Sequence, residues 1–340
     1  MTITAATAPR GWSLPRLRGL TWITWRQHRF ALLGVATLLG GFALLMIIHG
    51  AAMHGDYHRL GLNSCGSITG DNCQAPIAIF QHRYQSIADF LPVLLTFAPA
   101  LIGAFVGAPL VARELETGTF RFAWTQATDR ARWTIVKLTL LGVVLAGLAL
   151  AFSALYGWWF EPWEPLLGRI QSGKSYEVEG VVFAARTVFA FTLGALLGAV
   201  IRRTLTAMAA TLAVWVGVVF SSAIYVRPHI QAPVVAPDSS RKFVRTDWTI
   251  SNWTQDASGH HLSTAQLDAL TQQAQAEALR SADPRLAFDQ WFIQRGYSTW
   301  SKYQPNLRFW HFQLIEGSAY LLLTLMLAAA TVWWVRRRAA

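Results

Sequence analysis

The chain has 340 residues, is 53% hydrophobic and only 14% charged, whereas soluble domains carry about 25% charged residues; this excludes an ordinary water-soluble globular domain. The net charge of +11 does not mark a nucleic-acid surface, because the basic residues are divided among short flanks of apolar runs. Met1 to Trp22 shows no small-residue cleavage site behind a short apolar core, so the first apolar run is expected to remain as a membrane span.

A bilayer core about 30 Å thick takes roughly 20 apolar helical residues, because every backbone polar group must be satisfied inside the helix. Residues 1–29 read as a basic N-terminal segment, followed by a first span at Phe30 to Ile48 and a polar loop over residues 50–89 that holds Cys65 and Cys73. The second span is expected at Phe90 to Ala112, the loop after it at residues 113–133, and the third span at Leu138 to Phe160. An acid-rich stretch, Glu161 to Gly180, leads to a fourth span at Val181 to Ile201 that contains Arg186. After Arg202 and Arg203 the fifth span runs from Thr204 to Val226, closing the 30–226 block. A long segment, residues 227–316, precedes the last span, Gly317 to Val335, and a basic tail within 317–340. The fold class is therefore all-α integral membrane, with six transmembrane helices.

Arg10, Arg16, Arg18, Arg26 and Arg29, the Arg202–Arg203 turn, and Arg336, Arg337 and Arg338 fall on one side of this arrangement. The positive-inside rule makes that side the cytoplasm, so the chain is expected as a multi-pass cell-membrane protein with both termini cytoplasmic. Cys65 and Cys73 then lie outside, where a disulfide between them is expected; the alternative is two free thiols in a loop. In the long outer segment, Ser263 with Gln266 is a capping-box pattern opening a helix through about Arg280, and Asp283-Pro284 starts a second helix that Gly296 ends. The segment is expected to be a small, mainly helical extracellular cap over the mouth of the bundle.

Gly168 to Ser175, GRIQSGKS, fits the phosphate-cradling pattern G-x-x-x-x-G-K-[ST]. It lacks a preceding buried strand and falls on the outer side, so it is read as a chance match and Lys174 as no nucleotide ligand. His54 and His58 have the i, i+4 spacing of metal ligands but no third fixed ligand, so no metal site is assigned. No hydrolase elbow or kinase set is present, and no catalytic residue is assigned. Gly103 with Gly107 and Gly194 with Gly198 form small-xxx-small pairs, which either let backbones approach closely or reflect only the frequency of glycine in spans. Arg186 is read as snorkelling to the outer interface or pairing with an outer acid, in preference to touching a substrate.

The loop ARELETGTFRFAWTQATDRARW, Ala112 to Trp133, carries more information. Arg113, Glu114, Leu115 and Glu116 extend the second span, Thr117-Gly118-Thr119 breaks it, and a short helix after the break would present Phe120, Phe122 and Trp124 beside Arg121. Such aromatics serve either as an interfacial belt or as anchors in a protein groove. The Arg-Glu pair, second Glu and Gly-Thr at this place resemble the coupling-helix loop of ABC-2 type permeases. The likeness extends to Leu17 to Arg29, Ala199 to Arg203 and Arg308 to Arg338, and is nearest to permeases of high-GC actinobacteria.

The resemblance implies a permease subunit of an ATP-driven exporter, itself not an enzyme and without a cofactor of its own, whose separate ABC ATPase binds ATP and Mg. Glu114, Glu116, Thr117, Gly118, Thr119, Phe120, Arg121 and Trp124 would dock into that ATPase, and Leu17 to Arg29 would be an interfacial elbow helix. The chain would work in lipid as a homodimer or beside a similar permease, without nucleic acid. An amphipathic small molecule, peptide or lipid would pass between spans two and five, with Phe97, Phe105, Trp215 and Phe220 as candidate lining residues. The alternatives are a membrane enzyme using the outer segment, and a membrane-anchored sensor or immunity protein whose cap binds a peptide.

Overall fold

The computed structural model of the chain describes residues 15–65, 71–117, 130–171, 175–238, 246–281 and 284–338. Among these residues, six helices are long and apolar enough to cross a membrane, and each contains one of the expected spans.

The first is α1, Pro15–Arg59, a single 45-residue helix. At 1.5 Å per residue it is about 68 Å long, so it projects well beyond a bilayer core. Leu17 to Arg29, expected as a separate elbow helix, is instead the beginning of α1. No proline or turn-forming cluster separates that segment from the first span, so nothing interrupts the backbone ladder. The next helix, α2, Asp71–Thr96, begins soon after. Residues 50–89, expected as a loop, are therefore mostly helical extensions of the first two spans. The Cys65–Cys73 disulfide joins them at the tip, with Cα atoms 6.0 Å apart. Below it, Asp56 of α1 accepts hydrogen bonds from Tyr84 Oη at 2.7 Å and Arg83 at 2.6 Å, both on α2.

The second span continues past Phe97 as α3, Ala98–Ile102, a π turn at Gly103–Gly107, and α4, Ala108–Thr117. Pro99 explains the break at Phe97, since it has no N–H to continue the ladder. After residues 118–129 come α5, Arg130–Phe160, and the short α6, Glu164–Leu167. The fourth span is α7, Val181–Ile201, and the fifth is α8, Thr204–Ser221, which helical turns prolong to His229.

α7 is the central helix: 83% of its apolar window is buried, against 17–61% for the other spans. Two glycine pairs meet at its face. A Cβ on Gly107 would lie 2.3 Å from Phe191 O, and one on Gly194 would lie 2.3 Å from Gly103 O, so only glycine permits this approach of α7 to the second span. Of the two readings of the small-residue pairs, close backbone packing is the one realised.

The polar segment departs from expectation. It folds as a mixed unit in which β1, Val234–Pro237, β2, Trp248–Gln255, and β3, Ser298–Gln304, form an antiparallel sheet of order β1-β3-β2. Two helices, α9, Thr264–Ala278, and α10, Pro284–Gln294, lie between β2 and β3 in the chain. The mainly helical cap is thus corrected to an α/β cap, because WTISNWTQ and STWSKYQ are rich in Trp, Thr, Ile and Tyr, which favour a pleated, half-buried surface. The capping box at Ser263 and Gln266 is present, and Gly296 ends the second helix region with φ +76°. The cap is also shorter than residues 227–316, because the last span, α11, begins at Phe309 and runs to Arg338. Asn306 anchors the cap by accepting from the Arg169 and Ile170 amides at 2.8 and 3.2 Å. Ile170, Tyr176, Phe309 and Phe312 form an apolar core beneath it.

Candidate functional site

At the end of the bundle away from the cap, α4 carries buried Leu110, Val111 and Ala112 into the membrane core and ends on the acidic segment. Lys137 of α5, 1% exposed, donates to Glu114 Oε1 at 2.5 Å, and its ammonium lies 3.8 Å from the Trp133 ring centre. Glu116 Oε2 accepts from Thr204 Oγ1 at 2.6 Å and from Thr204 N at 3.2 Å. It thereby satisfies a free N–H at the first residue of α8 and places negative charge at that helix's positive end. Thr117 Oγ1 donates to Arg113 O at 2.8 Å. Both candidate coupling acids thus have partners within the chain, and they tie the end of α4 to the third and fifth spans. Gly118, Thr119, Phe120, Arg121 and Trp124 lie outside the described residues.

At the cap end a second constellation is buried. Arg186 Nη2 donates to Glu316 Oε1 at 2.6 Å, while Arg227 donates through Nε to Glu316 Oε2 at 2.9 Å and through Nη1 to Glu177 Oε1 at 2.7 Å. Tyr176 Oη adds a bond to Glu316 Oε2 at 3.0 Å, and its ring lies 4.1 Å beneath the Arg227 guanidinium. All four charged groups are at most 5% exposed, and two cations balance two anions. A buried charge left alone would be costly, so the cluster fixes α7, α8 and α11 and the segment before α7 in one arrangement. Gln313 completes it, accepting from Val182 N at 2.9 Å and donating to Tyr176 O at 3.0 Å. Of the two readings of Arg186, snorkelling or pairing with an acid, the pairing is the one realised. Sequence reasoning missed Arg227 and Glu177 as partners, although a lone acid opening the sixth apolar run and a lone cation closing the fifth were visible.

Three of the four candidate lining residues come together. The Phe97 ring centre lies 6.4 Å from that of Trp215 and 6.5 Å from that of Phe220. Phe97 and Phe220 line a cavity of about 230 Å³ with Val93, Thr96 and Glu177, so one acid of the buried cluster also faces the gap between the second and fifth spans. Phe105 does not belong there; it is 60% exposed on the π turn and outside the cavity lining.

The GRIQSGKS segment has the wrong surroundings for a phosphate loop. Gly168 follows the four-residue helix α6 rather than a strand, and the Arg169 and Ile170 amides are already taken by Asn306. Lys174 lies outside the described residues. His54 hydrogen-bonds through Nδ1 with Gly50 O at 3.0 Å and stacks on Trp158 at 4.8 Å. Among the described residues, no group of three His, Cys, Asp or Glu gathers as metal ligands.

The family model described as ABC-2 membrane transporter related matches residues 35–227, more than half of the chain. The match takes in most of the first span, the second through fifth spans, the Glu114 and Glu116 joint, and the buried cluster as far as Arg227. No curated protein and no solved structure matches the chain.

Proposed function

The chain belongs to the ABC-2 membrane transporter related family, and from that premise we propose that it is the membrane-spanning permease subunit of an ATP-driven exporter whose ABC ATPase is a separate polypeptide. The observation that carries the reading is the pair of ties at the inner loop. Glu114 binds Lys137 and Glu116 binds Thr204, so a displacement of the loop root is passed to α5 and α8 at once. Residues 118–129 sit between those ties in the chain and form the docking segment, with Phe120 and Trp124 as aromatic anchors of the kind that dominate interface energies. ATP-driven closure of the ATPase pulls on this segment and moves the second and fifth spans, between which Phe97, Trp215 and Phe220 line the path of an amphipathic cargo.

Two copies, or one copy and a similar permease, complete the transporter. The arginine-rich termini face the cytoplasm and the cap faces outside. Purification of the tagged chain from its native membranes, with the co-purifying polypeptides assayed for ATP turnover, tests the reading. Stable recovery of the ATPase is expected, and its absence from the purified complex would remove the transporter reading in favour of a membrane enzyme or sensor.

A further inference from the structure

A second cavity, of about 500 Å³, opens at the cap end of the bundle between α5, the start of α7 and the start of α11. It is distinct from the 230 Å³ gap between the second and fifth spans. Its described lining carries three carboxylates, Glu161, Glu164 and Glu179, but one guanidinium, Arg169. Arg169 bonds Glu179 Oε1 at 2.5 Å and lies 3.6 Å from Glu164, and the His54 ring lies 3.6 Å from Glu161, so among the described residues one permanently charged cation faces three carboxylates. Glu179 is 3% exposed, and its Oε2 has no hydrogen-bond partner among the described residues. Burying a carboxylate oxygen without a donor is unfavourable, so the site calls for a cation. Trp158 and Trp310 supply two aromatic walls to the same cavity. Aromatic faces attract cations, and indole is the best of them.

We propose that this cavity binds an organic cation, a charged nitrogen or phosphorus centre on an apolar body, with its charge held by Glu179 and Glu161 and its body between Trp158 and Trp310. A volume of about 500 Å³ lies within the usual range for small-molecule sites. The inference concerns binding alone. It needs neither an ATPase nor a direction of transport, so its failure would leave the permease reading untouched.

The test is equilibrium binding of tetraphenylphosphonium to the full chain in a non-ionic detergent, with tetraphenylborate as an anion of the same shape. Saturable binding of the cation is expected. Glu179→Gln should weaken it about tenfold, and Trp310→Ala roughly threefold to tenfold. Because Glu179 also holds Arg169, Glu161→Gln provides a charge loss at a solvent-exposed side chain, with a thermal melt of each variant as the folding control. Adding phosphatidylethanolamine identifies the source: displacement of the probe assigns the site to a lipid amine headgroup, and retention assigns it to a free cation. Equal binding of the borate, or wild-type phosphonium affinity in both Trp310→Ala and Glu161→Gln, would overturn the proposal.

Discussion

Arg186 and Glu316 lie 130 residues apart in sequence, yet the guanidinium donates to the carboxylate at 2.6 Å with both side chains buried between spans. Removing the carboxylate strands the charge on Arg186 and takes from Arg227 one of its two acids. Glu316→Leu is therefore expected to destabilise the protein by about 3–5 kcal/mol, read as a large fall in melting temperature in detergent. Arg186→Met in the same chain should recover part of that loss, since Arg227 keeps Glu177 and no partnerless cation remains. A loss in the double variant equal to the sum of the losses in Glu316→Leu and Arg186→Met alone would show that the two residues act independently.

The glycine contact gives a sharper contrast. Gly194→Val would drive a side chain into the Gly103 carbonyl, whose oxygen lies 2.3 Å from the position of the first added carbon. Overpacking of this kind costs about 1–3 kcal/mol or more. Gly147 has open space around its Cβ position, so Gly147→Ala should leave the melting temperature unchanged or raise it. The comparison is a single melting experiment on two small-to-larger changes in the same bundle.

Stability should also depend on pH through Glu179. Burial pushes its carboxyl above the usual value of 4.5, while Arg169 opposes the shift. The folded chain then holds a proton that the unfolded chain has released, so stability falls as pH rises above about 4.5 through the raised value. Arg169→Gln removes the opposing charge and should deepen that fall, whereas Glu179→Gln should flatten it. Melting temperatures across mildly acidic pH distinguish the two.

The disulfide closes a short loop at the tip of α1 and α2, so Cys65→Ser should cost about 2–3 kcal/mol. Intact cells carrying the wild-type chain should take an impermeant thiol reagent only after reduction, if the tip faces outside as proposed. Labelling before reduction would mean free thiols in the cell.

The spans were legible because a bilayer imposes a length and forbids unsatisfied backbone, so apolar runs such as Leu138 to Phe160 have few other meanings. The Ser263 cap was legible for a similar reason, since its two hydrogen bonds are local in sequence. The sheet was not. β1 is four residues long, and β2 carries an irregularity between Thr249 and Ser251 that breaks the alternation by which a strand announces itself. The buried cluster was half legible: Arg186 called for either the interface or an acid, and both the choice and the identity of the acid depend on how α7, α8 and α11 pack. The candidate coupling acids were read from a motif, while their partners Lys137 and Thr204 emerged only from the fold.

The measurement closest to the central claim is ATP turnover by the ABC ATPase reconstituted in vesicles with the wild-type chain or with Trp124→Ala. The wild-type chain is expected to stimulate turnover, and Trp124→Ala to reach the membrane at normal level but to lose roughly tenfold or more of that stimulation, as removal of an aromatic interface anchor would require. Glu116→Lys should act in the same direction by breaking the tie to Thr204. Wild-type stimulation by both variants would contradict the coupling role of the inner loop.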